Sequence, residues 1–380
     1  MNIKSKLPNV GNTIFSVMSA LANKHGAINL AQGFPNFDCD DRLKALAQQY
    51  IAEGYNQYAP MPGLLRLREI LSQKTNKLYQ QNYSPDNEIT ITVGATQGIF
   101  TTIAAFIQPG DEVIIIEPAY DSYQPAVETM GAKVVPYEMK TPDWKIDWTS
   151  FAKLISPKTR MIIFNTPHNP TGTILQDEDI KALSKLVVDT DIILLSDEVY
   201  EHLVFDGEQH CSILAYPELR KHSIATFSFG KMLHATGWRT GYIIADESLM
   251  REFRKVHQFN VFSNNTPIQH AIADYIEDEE AYLGLSSFFQ KKRDLFLDSI
   301  KDSPFQTTPS QGTYFQLVDY SEISDESDTD FAIRMTKEVG VAVIPISAFY
   351  GSRLDNKVVR FCFAKTDEVL LQAGELIRKI

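Results

Sequence analysis

One lysine of this chain stands in a setting that favours covalent chemistry. Lys231 follows the apolar, β-branched run at residues 223–227, which predicts a buried strand. A lysine emerging from such a strand is partly desolvated; this lowers the pKa of its amine and frees it to attack a carbonyl carbon. Ser228 precedes Lys231 by three residues and Arg239 follows it by eight. A hydroxyl and a guanidinium suit a phosphate, so the segment indicates pyridoxal phosphate bonded to Lys231 as a Schiff base.

The same segment has other interpretations. A P-loop, Gly-x-x-x-x-Gly-Lys-[Ser/Thr], is excluded because Ala225 and Met232 occupy two of its required positions. The sequence also contains no Gly-x-Gly-x-x-Gly segment, the commonest dinucleotide-binding pattern. An ordinary loop lysine remains open for Lys231 from this segment alone, and the other motifs decide between that interpretation and the Schiff base.

Polar motifs follow the predicted strands at the point where each strand ends. The five strands concerned are predicted at residues 89–93, 112–116, 161–164, 192–195 and 224–227. In open α/β sheets, ligands bind outside the carboxyl ends of the parallel strands. We therefore expect one crevice to collect the residues that follow these strands: Gly94, Ala95, Thr96, Tyr120, Asn169, Asp197, Tyr200, Ser228 and Lys231.

Two of these motifs fit the charged ends of the cofactor. Gly94, Ala95 and Thr96 open a predicted helix, whose N–H groups and hydroxyl suit a phosphate, although alone they describe an ordinary helix start. Asp197 ends a strongly apolar strand, where a carboxylate is costly to bury without a cation. A protonated pyridine nitrogen would be that cation. Taken alone, Asp197 would equally be a helix cap or a surface acid.

Three further residues fit the cofactor ring. We expect Tyr200 and Asn169 to hydrogen-bond the phenolic oxygen of the ring and to stabilise its anion. Tyr120 is expected to stack on the ring face, although a single tyrosine at a strand end is more often packing. Together with the strand-end motifs, these residues favour the Schiff-base interpretation of Lys231.

The alternation of strand-like and helix-like segments predicts an α/β fold, with a mainly parallel central sheet sandwiched by helices. Beyond residue 280 the order changes to that of a smaller α+β domain. The chain is thus divided into a large domain at residues 38–280 and a small domain at residues 1–37 and 281–380. The remaining elements are strands predicted at 133–137, 242–245, 314–318, 341–346 and 358–363, and helices at 14–22, 96–107, 177–188, 282–300, 330–339 and 367–380.

The bulk composition narrows the class of protein. A net charge of −12 over 380 residues argues against sequence-independent binding of nucleic acid. The three widely spaced cysteines, Cys39, Cys211 and Cys362, indicate neither a disulfide framework nor a zinc site, and we expect no metal. The sequence shows no signal peptide and no membrane-spanning run. We expect a cytoplasmic protein that binds neither membranes nor nucleic acid.

The chain resembles the fold-type I, class I/II aminotransferases, and within them the subgroup of kynurenine, glutamine and methionine aminotransferases. The resemblance is carried by Asn-Pro-Thr-Gly at 169–172, Ser-Asp-Glu-Val-Tyr at 196–200, and Ser-Phe-Gly-Lys at 228–231 followed by Gly-Trp-Arg at 237–239. It extends from residue 29 to residue 363. The resemblance implies an enzyme that moves an amino group to a 2-oxo acid by a ping-pong mechanism, with pyridoxal 5'-phosphate as cofactor.

The resemblance also implies roles that spacing alone does not. Lys231 is similar to the family's Schiff-base lysine, which carries the proton between the substrate Cα and the cofactor. Arg360 resembles the arginine that grips the substrate α-carboxylate; from spacing alone it would be a strand residue in a surface ion pair. Gly33 matches the turn that closes over the substrate. Tyr58 resembles the tyrosine that reaches the phosphate of the neighbouring subunit, which implies a homodimer with shared active sites.

Some positions depart from the family pattern and bear on the substrate. Thr96 stands where kynurenine aminotransferases carry a tyrosine. The segment 261–265 lacks the arginine that pairs with a second substrate carboxylate in aspartate aminotransferases, which argues against aspartate as donor. The roles of Ser263, Asn264 and Asn265 are left open.

Aromatic residues expected near the mouth of the site favour a large neutral side chain. The donors implied are methionine, phenylalanine, tyrosine, glutamine and kynurenine. The aromatic residues concerned are Phe34, Tyr58, Tyr123 and Tyr314.

Two other functions are weighed against transamination. A cysteine-conjugate or cystathionine β-lyase uses the same fold, and would release pyruvate and ammonia without a 2-oxo acid acceptor. A cofactor-sensing transcription regulator would need an N-terminal DNA-binding domain. The aminotransferase-like motifs start by Asn29 and the chain is acidic, so the regulator is disfavoured.

Overall fold

The computed structural model describes residues 3–380. Within that range the chain alternates strands and helices through its middle third, as the hydrophobic pattern predicts. The strands are β1 Ile28–Asn29, β2 Ile89–Thr92, β3 Glu112–Glu117, β4 Lys133–Glu138, β5 Thr159–Asn165, β6 Ile193–Asp197, β7 Ser223–Ser228, β8 Gly241–Ala245, β9 Gln306–Thr307, β10 Phe315–Asp319, β11 Val341–Ala342, β12 Ile344–Pro345 and β13 Val358–Cys362.

Helices connect most of these strands and surround the central sheet. The described residues also include short 3₁₀ turns, among them Ile346–Phe349, and a π-helical turn at Met335–Val339. The α-helices are α1 Ile14–His25, α2 Asp41–Ala52, α3 Leu65–Tyr79, α4 Gly94–Phe106, α5 Tyr123–Thr129, α6 Trp148–Ala152, α7 Asp177–Val187, α8 Phe229–Met232, α9 Glu247–Asn260, α10 Thr266–Ile276, α11 Glu280–Leu283, α12 Leu285–Ile300, α13 Asp328–Arg334 and α14 Asp367–Ile377.

The central sheet has seven strands in the order β2-β8-β7-β6-β5-β3-β4. Strand β8 is antiparallel to both of its neighbours, and the other neighbouring pairs are parallel. The prediction of a mainly parallel sheet is therefore confirmed. The carboxyl ends of β2, β3, β5, β6 and β7 share one edge of the sheet, and the antiparallel β8 begins at that edge.

Alternate residues of the central strands enter two different hydrophobic cores. Ile115 and Ile163 pack on one face of the sheet with residues of α4 and α9. Ile114 and Ile162 point to the opposite face and join a larger core that continues into the C-terminal part of the chain. Burial on both faces explains why these strands read as continuous apolar runs rather than as alternating ones.

Local signals in the sequence explain where several helices begin. The carboxylate of Asp179 accepts a hydrogen bond from the backbone N–H of Gln176 at 2.9 Å, and three acidic residues occupy the first turn of α7. Acidic side chains at that end interact favourably with the positive pole of the helix dipole. Asp246 caps α9 by accepting from the N–H of Ser248 at 3.0 Å.

Two small sheets lie outside the central one. Strands β12, β13, β10 and β9 form an antiparallel sheet, and β1 pairs in parallel with β11. Through β1 the N-terminal segment packs against the C-terminal part of the chain, as expected. The division into domains at residues 38–280 and at 1–37 with 281–380 stays a prediction.

Two elements differ from the hydrophobic pattern. The helix predicted at 282–300 is divided, because α11 ends and α12 begins on either side of Gly284, a residue with low helix propensity. The strand predicted at 341–346 is also divided, because β11 pairs with β1 whereas β12 pairs with β13. The whole run is buried, so its pattern gives no sign that the chain changes sheets. In residues 3–380, no helix combines the length and apolarity that a bilayer crossing requires.

A buried ion pair ties α3 to the central sheet. The Nζ of Lys74 donates to Oε1 of Glu201 at 2.7 Å and to the hydroxyl of Tyr242 at 3.1 Å. Tyr79 donates to the other oxygen of Glu201 at 2.7 Å. Burial alone would raise the pKa of Glu201, but the Lys74 charge, with that of His202, holds it well below its usual value. The carboxylate thus stays ionised in the core.

We expect the substitution Lys74→Met to lower the free energy of unfolding by about 3–5 kcal/mol, because it leaves the Glu201 carboxylate buried without its cation. Chemical denaturation followed by circular dichroism measures this change. The second substitution in Lys74→Met/Glu201→Gln should recover part of the loss.

The matched control is Lys77→Met on the same helix. Lys77 pairs with Glu279 at the surface, where both side chains are more than one-third exposed. Removal of a surface pair changes stability by no more than about 1 kcal/mol. Equal losses for the two lysines would show that the buried pair contributes nothing beyond a surface one.

Candidate active site

A cavity of about 440 Å³ lies at the edge of the sheet where the parallel strands end. Its wall is built from the residues after β2, β3, β5, β6 and β7, from the N-terminal segment, and from β10 and β13. The cavity brings together most of the residues singled out by sequence, namely Gly33, Ala95, Thr96, Tyr120, Asn169, Asp197, Tyr200, Ser228, Lys231, Arg239 and Arg360.

Lys231 lies on α8, directly after β7, and its amine reaches across to the N-terminal segment. The Nζ donates to the hydroxyl of Tyr314 at 2.7 Å and to the carbonyl oxygen of Gly33 at 3.1 Å. Burial lowers the pKa of the Lys231 amine to about 8, and the charges of Arg360 and Arg239 act in the same direction. About one-tenth of the amine is therefore neutral and nucleophilic at pH 7, far more than for an exposed lysine.

Asp197 ends β6 and is almost fully buried. The hydroxyl of Tyr123 donates to its Oδ2 at 2.6 Å, and the backbone N–H of Val199 donates to its Oδ1 at 3.3 Å. Burial raises the pKa of Asp197 to about 6 in spite of these two donors. The carboxylate thus lies in the cavity wall at a point where a cationic group would stabilise it.

The start of α4 forms a site suited to an anion. Gly94 has a φ of +75°, and a Cβ at this position would lie 2.7 Å from the guanidinium nitrogen Nη2 of Arg239. Glycine therefore lets Arg239 approach the first turn of the helix. Ala95 and Thr96 follow in that turn, and Ser228 lies in the same cavity wall. Backbone N–H groups, a hydroxyl and a guanidinium are the donors that bind phosphate groups.

Arg360 lies in the middle of β13 and is 1% exposed. Its Nη1 donates to Oδ1 of Asn169 at 2.6 Å and its Nη2 to the carbonyl of Ala31 at 3.2 Å, while Phe315 packs 3.8 Å from its guanidinium carbon. Burial lowers the pKa of Arg360 to about 10. Since this guanidinium lines the cavity, the surface ion pair that spacing alone favours is wrong.

Tyr200 and Tyr120 line the same cavity as Asp197. The ring of Tyr200 packs edge-on against Tyr314 with centroids 5.1 Å apart, and the Nζ of Lys231 lies 5.7 Å from the Tyr200 centroid. Burial raises the pKa of the Tyr200 hydroxyl above its ordinary value, so the hydroxyl remains a hydrogen-bond donor. Tyr120 packs edge-on against Tyr123 at 5.8 Å.

The segment that carries Asp197 and Tyr200 is held from behind by a fully buried carboxylate. Oε1 of Glu198 accepts from the hydroxyl of Ser196 at 2.8 Å and from the N–H of Ile213 at 3.0 Å. Oε2 of Glu198 lies 2.8 Å from Nε2 of His210. These contacts fix the backbone of the strand end independently of any ligand.

Cationic side chains hold the turn at residues 31–34 through its backbone carbonyls. Lys365, which is 4% exposed, donates to the carbonyl of Phe34 at 2.7 Å and to that of Gln32 at 3.3 Å. The carbonyl of Gly33 accepts from Lys231 and, at 2.6 Å, from Tyr314. The turn is thereby placed over the cavity, with Gln32, Gly33 and Phe34 in its wall.

Three aromatic residues lie elsewhere than the sequence predicts. Tyr123 and Tyr314 are 1% and 0% exposed, so the prediction that they stand at the mouth is wrong, because their hydroxyls point inward to Asp197 and Lys231. Tyr58 is 80% exposed and lies outside the cavity wall of its own chain, where its ring packs against Phe262. Phe34 does line the cavity.

Sequence reasoning missed residues that shape the site, among them Asp121 and Lys365. Both are single polar residues within otherwise ordinary segments, and their place in the loops that follow β3 and β13 is the signal that could have found them. Ser263 and Asn264 donate to the backbone carbonyls of Ala59 and Thr92 at 2.9 and 2.6 Å, and Asn265 caps α10. The segment that the sequence left open therefore anchors the loop between α9 and α10 to Ala59 and to the end of β2.

Comparisons with known proteins agree with this geometry. A family model described as aminotransferase class I and II matches residues 25–377. The methionine aminotransferase of Escherichia coli (strain K12) is 46% identical over 378 residues, which cover 99% of this chain and 98% of the relative. Kynurenine–oxoglutarate transaminase 1 of Mus musculus is 32% identical over 388 residues, with 93% and 91% covered.

Solved structures share the whole fold. The crystal structure of YbdL from Escherichia coli, identified as a methionine aminotransferase, has a TM-score of 0.98 and 45% identity, with 100% of both chains covered. N-succinyldiaminopimelate aminotransferase from Mycobacterium tuberculosis has a TM-score of 0.95 and 34% identity, also with 100% of both chains covered. The expectation of an α/β, fold-type I architecture is confirmed, and the chain belongs to the class I and II aminotransferases.

Proposed function

We propose that this aminotransferase uses pyridoxal 5'-phosphate to transfer the amino group of a large neutral or aromatic amino acid to a 2-oxo acid. The observation that carries the proposal is the presence of Lys231, Asp197 and Arg360 in the wall of one cavity. The relatives named for methionine and kynurenine support donors of this kind.

The residues present fit the cofactor. Asp197 is a buried carboxylate whose raised pKa calls for a cation, and a ring nitrogen that carries a proton is one. Arg239 and Ser228, with the first turn of α4, form the donor set that a phosphate needs. When bound to the Lys231 amine, pyridoxal phosphate supplies a carbon that accepts the substrate amino group and a ring that delocalises the electron pair left on the substrate Cα.

The chain's own residues then bind the substrate and move its proton. Arg360 offers two nitrogens in a plane, which suits a bidentate pair with the α-carboxylate. Asn169 and the aromatic ring of Phe315 fix the plane of that guanidinium. The amine of Lys231, with a pKa of about 8, takes the proton from the substrate Cα as general base, and the covering turn at residues 31–34 excludes water.

A homodimer with shared active sites belongs to the same proposal. Tyr58 and Phe262 pack edge-on with centroids 5.0 Å apart and are 80% and 54% exposed. Large aromatic side chains left open in this way are typical of protein interfaces. Following the family resemblance, we propose that the hydroxyl of Tyr58 would hydrogen-bond the phosphate held by the neighbouring subunit.

The half-reactions test the proposal. Purified enzyme loaded with pyridoxal phosphate should lose its visible absorption band when L-methionine or L-phenylalanine is added, and regain it with a 2-oxo acid. Lys231→Ala should lower turnover by at least about 10³-fold, because it removes the amine that binds the cofactor and carries the proton. The exposed Lys337→Met serves as control. Full activity in Lys231→Ala would refute the mechanism.

The β-lyase is the alternative outcome of the same assay. A lyase would release pyruvate and ammonia from a β-substituted donor and would need no 2-oxo acid. Absence of any visible band after incubation with pyridoxal phosphate would refute the cofactor itself.

The pKa of Asp197 predicts how the cofactor-free protein responds to pH. Its folded-state pKa of about 6 lies above the ordinary value of 3.8, so the stability it contributes at low pH is lost as the pH rises through 6. In Asp197→Asn this loss is absent. The free energy of unfolding of the variant minus that of the wild type should therefore increase by about 1 kcal/mol from pH 5 to pH 7.5.

Thermal unfolding of both cofactor-free proteins at the two pH values measures this difference. Pyridoxal phosphate should then stabilise the wild type more than Asp197→Asn, because only the wild type pairs the ring nitrogen with a carboxylate. The exposed Asp302→Asn should behave as the wild type does. A difference between Asp197→Asn and the wild type that does not change with pH would contradict the assignment.

The contacts of Lys365 predict that its substitution changes KM more than kcat. Lys365→Met removes both hydrogen bonds to the turn at residues 31–34, so we expect KM for the amino acid to rise about 10-fold while kcat changes less. Lys365→Arg should restore much of the affinity, since the guanidinium also donates to carbonyls. Amide hydrogen exchange in the turn should be faster in Lys365→Met alone. Unchanged KM and exchange would show that the lysine does not position the turn.

A further inference from the structure

Asp121 is a charged residue of the cavity that has no role in the reaction described above. It lies in the loop after β3, is half-buried, and lines the cavity together with Arg360. It also lines an adjoining cavity of about 410 Å³, which is bounded by residues 9–14 and shares Thr13 and Tyr120 with the first. Asp121 therefore stands where the two open spaces meet.

The carboxylate of Asp121 has no side-chain partner within residues 3–380. No side chain in that range donates a hydrogen bond to it, and no cation lies within 4.0 Å. Burial raises the pKa of Asp121, and the charge of Arg360 opposes this rise. Asp121 is only half-buried, in keeping with its position in the walls of both cavities.

Asp121 is one of two charged wall residues that the cofactor does not use. In the proposed function Lys231 is bonded to the cofactor, and Arg239 and Asp197 bind its phosphate and ring nitrogen. Of the charged residues in the wall, this leaves Arg360 and Asp121. Arg360 satisfies the α-carboxylate that every amino acid carries. A second carboxylate on the substrate would meet no further cation among the wall residues that this chain contributes, and would instead lie in the field of the Asp121 anion.

We propose that Asp121 is a specificity-determining residue, which rejects donors and 2-oxo acids that carry a side-chain carboxylate and thereby favours neutral side chains. Like charges repel strongly where water is largely excluded, and a repulsive group discriminates without any added attraction for the preferred substrate. This inference rests on the proposed function, whose substrate class it explains.

Glutamine and glutamate test the inference, because they share shape and differ in side-chain charge. In Asp121→Asn the ratio of kcat/KM for glutamate to that for glutamine should rise at least about 10-fold over the wild type, mainly through glutamate. Asp121→Glu, which keeps the charge, should leave the ratio low. Asp121→Ser provides a second neutral variant if Asp121→Asn does not fold.

Binding of unreactive ligands gives a readout that needs no turnover. Glutarate and its half-amide glutaramate lack an amino group and differ in one charge. We expect isothermal titration of the loaded enzyme to show that Asp121→Asn increases the affinity for glutarate at least about 10-fold more than the affinity for glutaramate. The substitution of the exposed Asp302 in Asp302→Asn changes the net charge equally and should leave the affinity for both ligands unchanged.

A role limited to balancing the charge of Arg360 would give a different result. Removing Asp121 would then change the affinity for both ligands, and the kcat/KM for both amino acids, by the same factor. An unchanged ratio in Asp121→Asn and Asp121→Ser would overturn the inference while the half-reactions with methionine still stood. Failure of those half-reactions in the wild type would instead overturn the proposed function.

Discussion

The burial of the Lys231 amine is the constraint on which the rest of the site depends. An ammonium group in this position is costly, so the fold surrounds it with oxygen acceptors drawn from distant parts of the chain. Gly33 comes from the N-terminal segment and Tyr314 from the residue before β10. Lys231 itself comes from the end of β7. Burial lowers the pKa of the amine, and the contacts that accompany this burial hold three regions of the chain together around one cavity.

A regular sheet edge made much of this arrangement predictable from sequence. Parallel strands end at the same edge, so a polar residue after an apolar run is directed to a common place. Asp197, Ser228 and Asn169 follow this rule, and they line the cavity as expected. Family resemblance, and not periodicity, identified Arg360, because a buried arginine in a short strand has the same spacing as an exposed one.

The features that escaped prediction depend on contacts between distant segments. The division of the run at residues 341–346 follows from pairing with two different partners, which no local pattern records. Tyr123 was expected at the mouth of the site, yet its hydroxyl turns inward to Asp197. Lys365 is five positions beyond Arg360, and nothing near it in sequence shows that its targets are carbonyls of the N-terminal turn.

The segment at residues 197–201 combines residues that line the cavity with residues that anchor the segment in the core. Asp197 and Tyr200 face the cavity, whereas Glu198 and Glu201 bind into the core behind it. Substitution in this segment therefore disturbs folding and chemistry together. Thr13, Phe34 and Asp121 border the cavity without carrying such core networks. Substitutions at these three positions can accordingly change the preferred substrate in the course of evolution, while the residues that carry the reaction stay the same.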